Sequence, residues 1–140
     1  FRSRDTIELL SQPWVGQKID GVVAIEARGY MLGAPMAARL GCGFIPVRKV
    51  GKLPFKTFKA EYALEYGTSA IEIHQDAVLS GERVLLVDDV LATGGTLAAA
   101  ASLVQQAGGE VAGMGVLMEL SFLPGREKLK GYDLRSLITI

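Results

Sequence analysis

Short apolar runs alternate along this chain with longer stretches whose apolar residues recur at helical spacing. The short runs predict six β-strands, at residues 21–25, 44–47, 70–74, 83–87, 111–120 and 134–140. The helical spacing predicts α-helices at residues 6–10, at 30–40, from 97 to the glycine pair 108–109, and at 124–129. Strands and helices in this order predict one α/β domain over residues 1–140, with a parallel sheet covered by helices on both faces.

The composition of the chain argues against several classes of protein. Lys and Arg total 15 and Asp and Glu total 15, so the chain lacks the basic excess that nonspecific nucleic-acid binding requires. No apolar run approaches the roughly 18 residues that a membrane span needs. Cys42 is the one cysteine, which excludes an intrachain disulfide and makes a reducing, cytoplasmic location the expectation.

The strongest chemical pattern follows the strand at residues 83–87. Asp88 and Asp89 come first, and a loop of small residues then opens the next helix. This loop contains Ala92, Thr93, Gly94, Gly95 and Thr96. Free backbone N–H groups at a helix N-terminus bind phosphate, and glycine lets the backbone come close to it. The two carboxylates suit sugar hydroxyls or a hydrated Mg²⁺, so the pattern predicts a site for ribose 5-phosphate, with a simple capped helix as the alternative.

Two further segments follow predicted strands. Arg28 lies between the strand at 21–25 and the next helix, where its guanidinium could bind a diphosphate through two hydrogen bonds. Residues 48–67 show no clear periodicity and carry the cations Arg48, Lys49 and Lys52. A long irregular connection of this kind predicts a lid over a binding site. Of the remaining residues, we expect Met31 and Met36 on the core face of a helix and Glu72 on the surface.

The string from Val84 to Thr96 resembles the phosphoribosyl pyrophosphate signature of the type I phosphoribosyltransferases. Three further strings are similar to the adenine phosphoribosyltransferase family: Glu-Ala-Arg-Gly-Tyr at 26–30, Arg-Lys-Val-Gly-Lys-Leu-Pro at 48–54 and Leu-Glu-Tyr-Gly at 64–67. The segment from Glu119 to Glu127 fits the C-terminal part of that family and of its xanthine-using relatives. The resemblance covers the chain from about Val22 to Ile140.

This resemblance implies a type I phosphoribosyltransferase fold with a five-stranded parallel core, a flexible catalytic loop and a homodimer. It implies purine salvage by Mg²⁺-dependent transfer of 5-phosphoribose from phosphoribosyl pyrophosphate to adenine, which gives AMP and pyrophosphate. The ion would be held mainly by substrate oxygens. Glu65 would exchange a proton with the purine, Tyr66 would close over the site, and Lys52 and Arg28 would also act in catalysis. The resemblance further assigns three groups of binding residues: Asp88 and Asp89 for the ribose, residues 92–96 for the 5-phosphate, and Arg28, Arg48, Lys49 and Lys52 for pyrophosphate.

The chain departs from the family at its start, where the family carries a longer segment that forms a hood over the purine. Phe1-Arg2-Ser3-Arg4-Asp5 would be a shortened remnant of that segment. The base therefore stays open between adenine and the alternatives xanthine, hypoxanthine and guanine. A non-catalytic domain that senses phosphoribosyl pyrophosphate is a further alternative, against which the lid residues Lys52, Glu65 and Tyr66 favour an enzyme.

Overall fold

The computed structural model describes residues 3–51, 53, 56–64 and 67–140. Its strands are β1 (Gly21–Ile25), β2 (Gly43–Lys49), β3 (Thr57–Leu64), β4 (Gly67–His74), β5 (Arg83–Leu91), β6 (Glu110–Glu119) and β7 (Leu134–Thr139). Its α-helices are α1 (Ser3–Ser11), α2 (Arg28–Leu40), α3 (Gly95–Gln106) and α4 (Gly125–Lys128), and a 3₁₀ turn follows α1 at Gln12–Trp14.

The strands form a single sheet in the order β3-β4-β2-β1-β5-β6-β7. Strands β2, β1, β5, β6 and β7 pair in parallel, which confirms the five-stranded parallel core. The chain adds β2 on one side of β1 and later adds β5 on the other side. Because connections leave in opposite directions at such a point, a crevice forms beyond the carboxyl ends of β1 and β5, where ligands bind in open α/β sheets.

Helices cover both faces of the sheet, as the alternating elements predict. One face packs Val22 and Leu85 against Trp14 and the α2 residue Met36. The opposite face packs its buried residues against α3, and this cluster includes Val23, Leu86, Leu97 and Leu103. Adjacent strand residues point to opposite faces of the sheet, so the same strands contribute to both clusters. The packing on both faces fixes the positions of the strand ends relative to α2 and α3.

The expectation of an irregular connection over residues 48–67 is wrong for its second half. Residues 57–64 form β3, which pairs antiparallel with β4 along its whole length. Phe58, Ala60 and Tyr62 pack against the core, whereas Lys59 and Glu61 are exposed. This alternation is short and carries Lys and Glu, which are weak strand formers, so the strand depends on hydrogen bonds to β4 that sequence patterns do not show.

Two other local expectations change. The strand predicted at residues 83–87 is longer, because β5 continues to Leu91 and pairs with β6 through Asp88, Val90 and Leu91. Met36 is buried as predicted, but Met31 is 76% exposed. The buried face of α2 consists of Gly29, Gly33, Met36 and Ala37, and this spacing of three to four residues turns Met31 outward.

Candidate active site

A cavity of about 260 Å³ opens beyond the carboxyl ends of β1, β2 and β5. It lies at the point where the order of strands reverses, as the topology requires. Its lining combines apolar residues from the strand ends with charged residues from the segments that follow them. The lining residues are Ile25, Glu26, Ala27, Arg28, Val47, Arg48, Lys49, Tyr62, Ile71, Asp88, Asp89 and Thr96. The fold thus brings together five charged residues that the sequence analysis selected.

A second, smaller concavity of about 70 Å³ adjoins the first. It is formed by the end of β5, the loop at residues 92–94 and the first turn of α3. The first N–H groups of an α-helix have no acceptor within the helix, and the N-cap residue of α3, Gly94, has no side chain to supply one. Asp88 and Thr96 line both concavities. A ligand with a phosphate at one end and hydroxyls beside it could therefore span the two.

The loop before α3 is held in place by close backbone packing. Gly94 has φ +84°, in the left-handed region, and a Cβ built on it would lie 2.8 Å from the carbonyl oxygen of Gly125. Gly125 itself packs on the backbone of Ala92. Helix α4 carries Gly125 and is tied to β6 by Arg126, whose Nη2 lies 2.7 Å from Oε1 of the buried Glu119. The C-terminal segment therefore supports the loop at residues 92–94 from behind.

Asp88 and Asp89 are adjacent residues of β5, and both line the larger cavity. The Asp88 carboxylate folds back and accepts a hydrogen bond from the Asp89 backbone N–H at 2.8 Å. Burial raises the pKa of Asp88 to about 7, although the hydrogen bond from the Asp89 N–H opposes that rise. The neighbouring Asp89 carboxylate contributes to this rise. The pair can thus accept hydrogen bonds from hydroxyl groups, and such donors would favour its ionised form.

The cations of the site are partly engaged with acids. Arg28 Nε lies 2.9 Å from Asp89 Oδ2, and its side chain is 80% exposed. Arg48 Nη2 lies 3.1 Å from Glu26 Oε2, and the Lys49 backbone N–H donates to Glu26 Oε1 at 2.9 Å. The sequence analysis gave no role to Glu26 or Tyr62, although both line the cavity. The alternation of Phe58, Ala60 and Tyr62 is the signal that could have identified Tyr62.

Three of the predicted catalytic residues, Lys52, Glu65 and Tyr66, lie outside the described residues, as do Phe1 and Arg2 of the proposed hood remnant. Among the residues that the structure describes, no group of three or more His, Cys, Asp or Glu side chains could hold a metal ion. Asp88 and Asp89 supply two carboxylates, the oxygen ligands that Mg²⁺ uses together with water and substrate phosphates. Within the same part of the chain, no helix is long and apolar enough to cross a membrane.

Comparison with known proteins agrees with this geometry. The family described as phosphoribosyl transferase domain matches residues 4–137. The adenine phosphoribosyltransferase of Thermobifida fusca is 56% identical over 137 residues, which span 98% of this chain and 78% of that protein.

Two solved structures extend the comparison. The adenine phosphoribosyltransferase of Thermoanaerobacter pseudethanolicus gives a TM-score of 0.96 at 56% identity, covering 99% of this chain and 80% of that chain. The enzyme of Saccharomyces cerevisiae, solved with an imino-altritol bisphosphate and adenine, gives 0.88 at 44% identity, covering 95% and 76%. The cavity beyond the carboxyl ends of β1 and β5 and the string from Val84 to Thr96 agree with these comparisons. This chain belongs to the phosphoribosyl transferase domain family.

Proposed function

We propose that this protein transfers the 5-phosphoribosyl group of phosphoribosyl pyrophosphate to adenine, forming AMP and pyrophosphate in purine salvage. The main observation that supports the proposal is that Asp88 and Thr96 line both concavities. A phosphate held at the α3 N-terminus would place its ribose beside the acid pair. Relatives that are 56–58% identical over most of the chain are named adenine phosphoribosyltransferase, which supports adenine as the base.

The phosphate-binding loop would anchor the substrate at a distance from the reacting carbon. Residues 92–96 would bind the 5-phosphate through backbone N–H groups and threonine hydroxyls, while Asp88 and Asp89 would accept hydrogen bonds from the ribose hydroxyls. Binding energy at these groups positions the anomeric carbon for attack. Because Asp88 and Asp89 lie in β5 and this strand ends at Leu91, directly before the loop, one rigid strand orients both ends of the sugar phosphate.

The cations assigned to the site would stabilise the pyrophosphate leaving group. Breaking the C1–O bond leaves an oxocarbenium-like sugar and a strongly anionic product, for which Arg28, Arg48, Lys49 and Lys52 would supply positive charge. Exposed ion pairs contribute little to stability, so Arg28 can exchange Asp89 for a phosphate oxygen at small cost. The carboxylates of Asp88 and Asp89 would help to hold Mg²⁺ beside the substrate, and the bound ion would supply positive charge for the leaving group.

The purine side of the reaction rests on the family resemblance. Glu65 would exchange a proton with the purine, Tyr66 would cover the site, and Lys52 would approach the diphosphate. We expect Glu65→Gln to lower kcat by about 100-fold, a loss typical of general acid–base catalysis, with little change in the KM for phosphoribosyl pyrophosphate. Steady-state kinetics with Glu61→Gln as control, an exposed acid of β3, would check this. An unchanged kcat would remove Glu65 from the mechanism.

The proposed reaction is tested by AMP formation from labelled adenine with phosphoribosyl pyrophosphate and Mg²⁺. Xanthine, hypoxanthine and guanine serve as competing bases in the same assay. Preferential formation of AMP supports the proposal, and preference for another base would reassign the substrate. Tight binding of phosphoribosyl pyrophosphate without turnover of any purine would instead indicate a regulatory domain.

We also propose that the protein is a homodimer and acts in the cytoplasm, where its highly charged substrate would be retained. The exposed side chain of Met31 lies on α2, one turn from Arg28, and Phe44 is also exposed at the surface. Burying such apolar area between two copies would stabilise an assembly. Sedimentation velocity should show a species of twice the chain mass, and Met31→Lys should shift it toward the monomer. A monomeric wild-type protein would contradict the dimer, and cell fractionation would test the location.

A further inference from the structure

Glu72 is a buried acid on the outer face of the hairpin formed by β3 and β4. Its neighbours Ile71 and Ile73 point into the core, so Glu72 points away from it. The sequence therefore indicates a surface charge, but Glu72 is only 2% exposed. The chain that follows β2 contacts its carboxylate through Gly51, Leu53 and Thr57. A carboxylate is rarely buried in this way without partners.

That segment supplies three hydrogen-bond donors to the carboxylate. The backbone N–H groups of Gly51 and Leu53 donate to Oε1, at 3.1 and 3.2 Å, and Thr57 Oγ1 donates to Oε2 at 2.8 Å. Burial alone would raise the pKa of Glu72, but these hydrogen bonds and the charge of Lys59 outweigh it and lower the pKa. The group is thus ionised at neutral pH, when its hydrogen bonds are strongest.

These contacts fix the backbone that follows the cation-bearing end of β2. Gly51 lies two residues after Lys49, which lines the cavity, and Gly51 and Leu53 stand on either side of Lys52 in the sequence. Glu72 itself is not among the residues that line the cavity. Its carboxylate can therefore affect a ligand only through the segment that it holds.

We propose that Glu72 is a positioning residue, whose buried carboxylate holds Gly51, Leu53 and Thr57 so that the end of β2, with Arg48 and Lys49, faces the diphosphate. This inference rests on the proposed function, since it assigns those cations to the leaving group. A hydrogen-bonded anchor of this kind reduces the freedom of the segment before substrate binds. The expected consequence is tighter binding of phosphoribosyl pyrophosphate, because less ordering remains to be done on binding.

The test compares Glu72→Ala with the isosteric Glu72→Gln and with the exposed control Glu61→Ala from the same hairpin. Titration calorimetry with phosphoribosyl pyrophosphate and Mg²⁺ gives Kd, and AMP formation gives kcat and both KM values. We expect Glu72→Ala to weaken phosphoribosyl pyrophosphate binding by about 10- to 100-fold, as misplacement of binding groups does, and to alter the KM for adenine much less. Glu72→Gln should recover most of the affinity, because its amide oxygen can still accept from both backbone N–H groups. Glu61→Ala should match the wild type.

Hydrogen exchange provides a readout that does not depend on activity. The amides of Gly51 and Leu53 should exchange faster in folded Glu72→Ala and remain protected in Glu72→Gln. If Glu72→Ala does not fold, Thr57→Val, which removes one donor, should weaken binding about threefold relative to Thr57→Ser, in line with the loss of one hydrogen bond. Unchanged Kd in the folded variants, or no recovery by Gln, would overturn the inference. If the wild type binds phosphoribosyl pyrophosphate but forms no AMP, only the proposed reaction is refuted. The comparison of Kd values among the variants would still decide the role of Glu72.

Discussion

Replacing both acids of the pair, as Asp88→Asn with Asp89→Asn, should abolish transfer while the protein stays folded. Each amide keeps the size of the side chain but removes the negative charge and offers an N–H₂ group where the ribose hydroxyls need an acceptor. Hydrogen bonds to charged groups contribute about 1.5–3 kcal/mol each. Losing two of them predicts a fall in kcat/KM on the order of 10³-fold by the same values, measured as AMP formation at low phosphoribosyl pyrophosphate.

Thermal unfolding separates this effect from damage to the fold. The raised pKa of Asp88, about 7 in the folded state against 3.8 as its ordinary value, means that the folded state holds this proton more tightly. The stability that the protonated group contributes is therefore present at low pH and lost as the pH rises through 7. The double variant has no such loss. The Tm of the double variant minus the Tm of the wild type should therefore increase from pH 5 to pH 8.

A matched control removes two acids that lie away from the cavity. Asp76 and Asp133 are exposed, and Asp76→Asn with Asp133→Asn should leave kcat/KM near the wild-type value. Near-normal transfer by the Asp88 and Asp89 double variant would reject the assignment of the acid pair.

Gly94→Ala should disable the proposed phosphate-binding loop. A φ of +84° is unfavourable for alanine, and the new Cβ would meet the Gly125 carbonyl oxygen at 2.8 Å. The neighbour is backbone of α4 and cannot move away as a flexible side chain would. Backbone strain of this kind costs about 1–3 kcal/mol, and relief of the contact requires the loop to shift. A shift near 1 Å predicts loss of phosphoribosyl pyrophosphate affinity on the order of 100-fold, measured by calorimetry.

Gly115→Ala is the appropriate control for this substitution. Gly115 lies in β6, and a Cβ built on it has no neighbour within 4 Å. The variant should bind phosphoribosyl pyrophosphate and unfold as the wild type does. If Gly94→Ala bound the substrate with wild-type affinity, the loop at residues 92–96 would not be the phosphate site.

Much of the fold was predictable because its signals are local. The strand at residues 21–25 has the predicted bounds, since all five residues are buried and apolar on both faces of the sheet. The string from Val84 to Thr96 is also contiguous, so one stretch of sequence carries the strand, the acids and the phosphate loop. The chemistry of this string can be inferred without knowing which residues pack around it.

Other parts of the site depend on residues far apart in the chain. Glu26 binds Arg48, and Arg28 meets Asp89, only because β1 lies between β2 and β5. Glu72 looks like a surface acid in its alternating strand and is buried only when Gly51, Leu53 and Thr57 fold across it. Residue order alone determined which groups could bind a sugar phosphate. The tertiary structure decided which of them meet, because burial and pairing arise from the order of strands in the sheet rather than from neighbours in the chain.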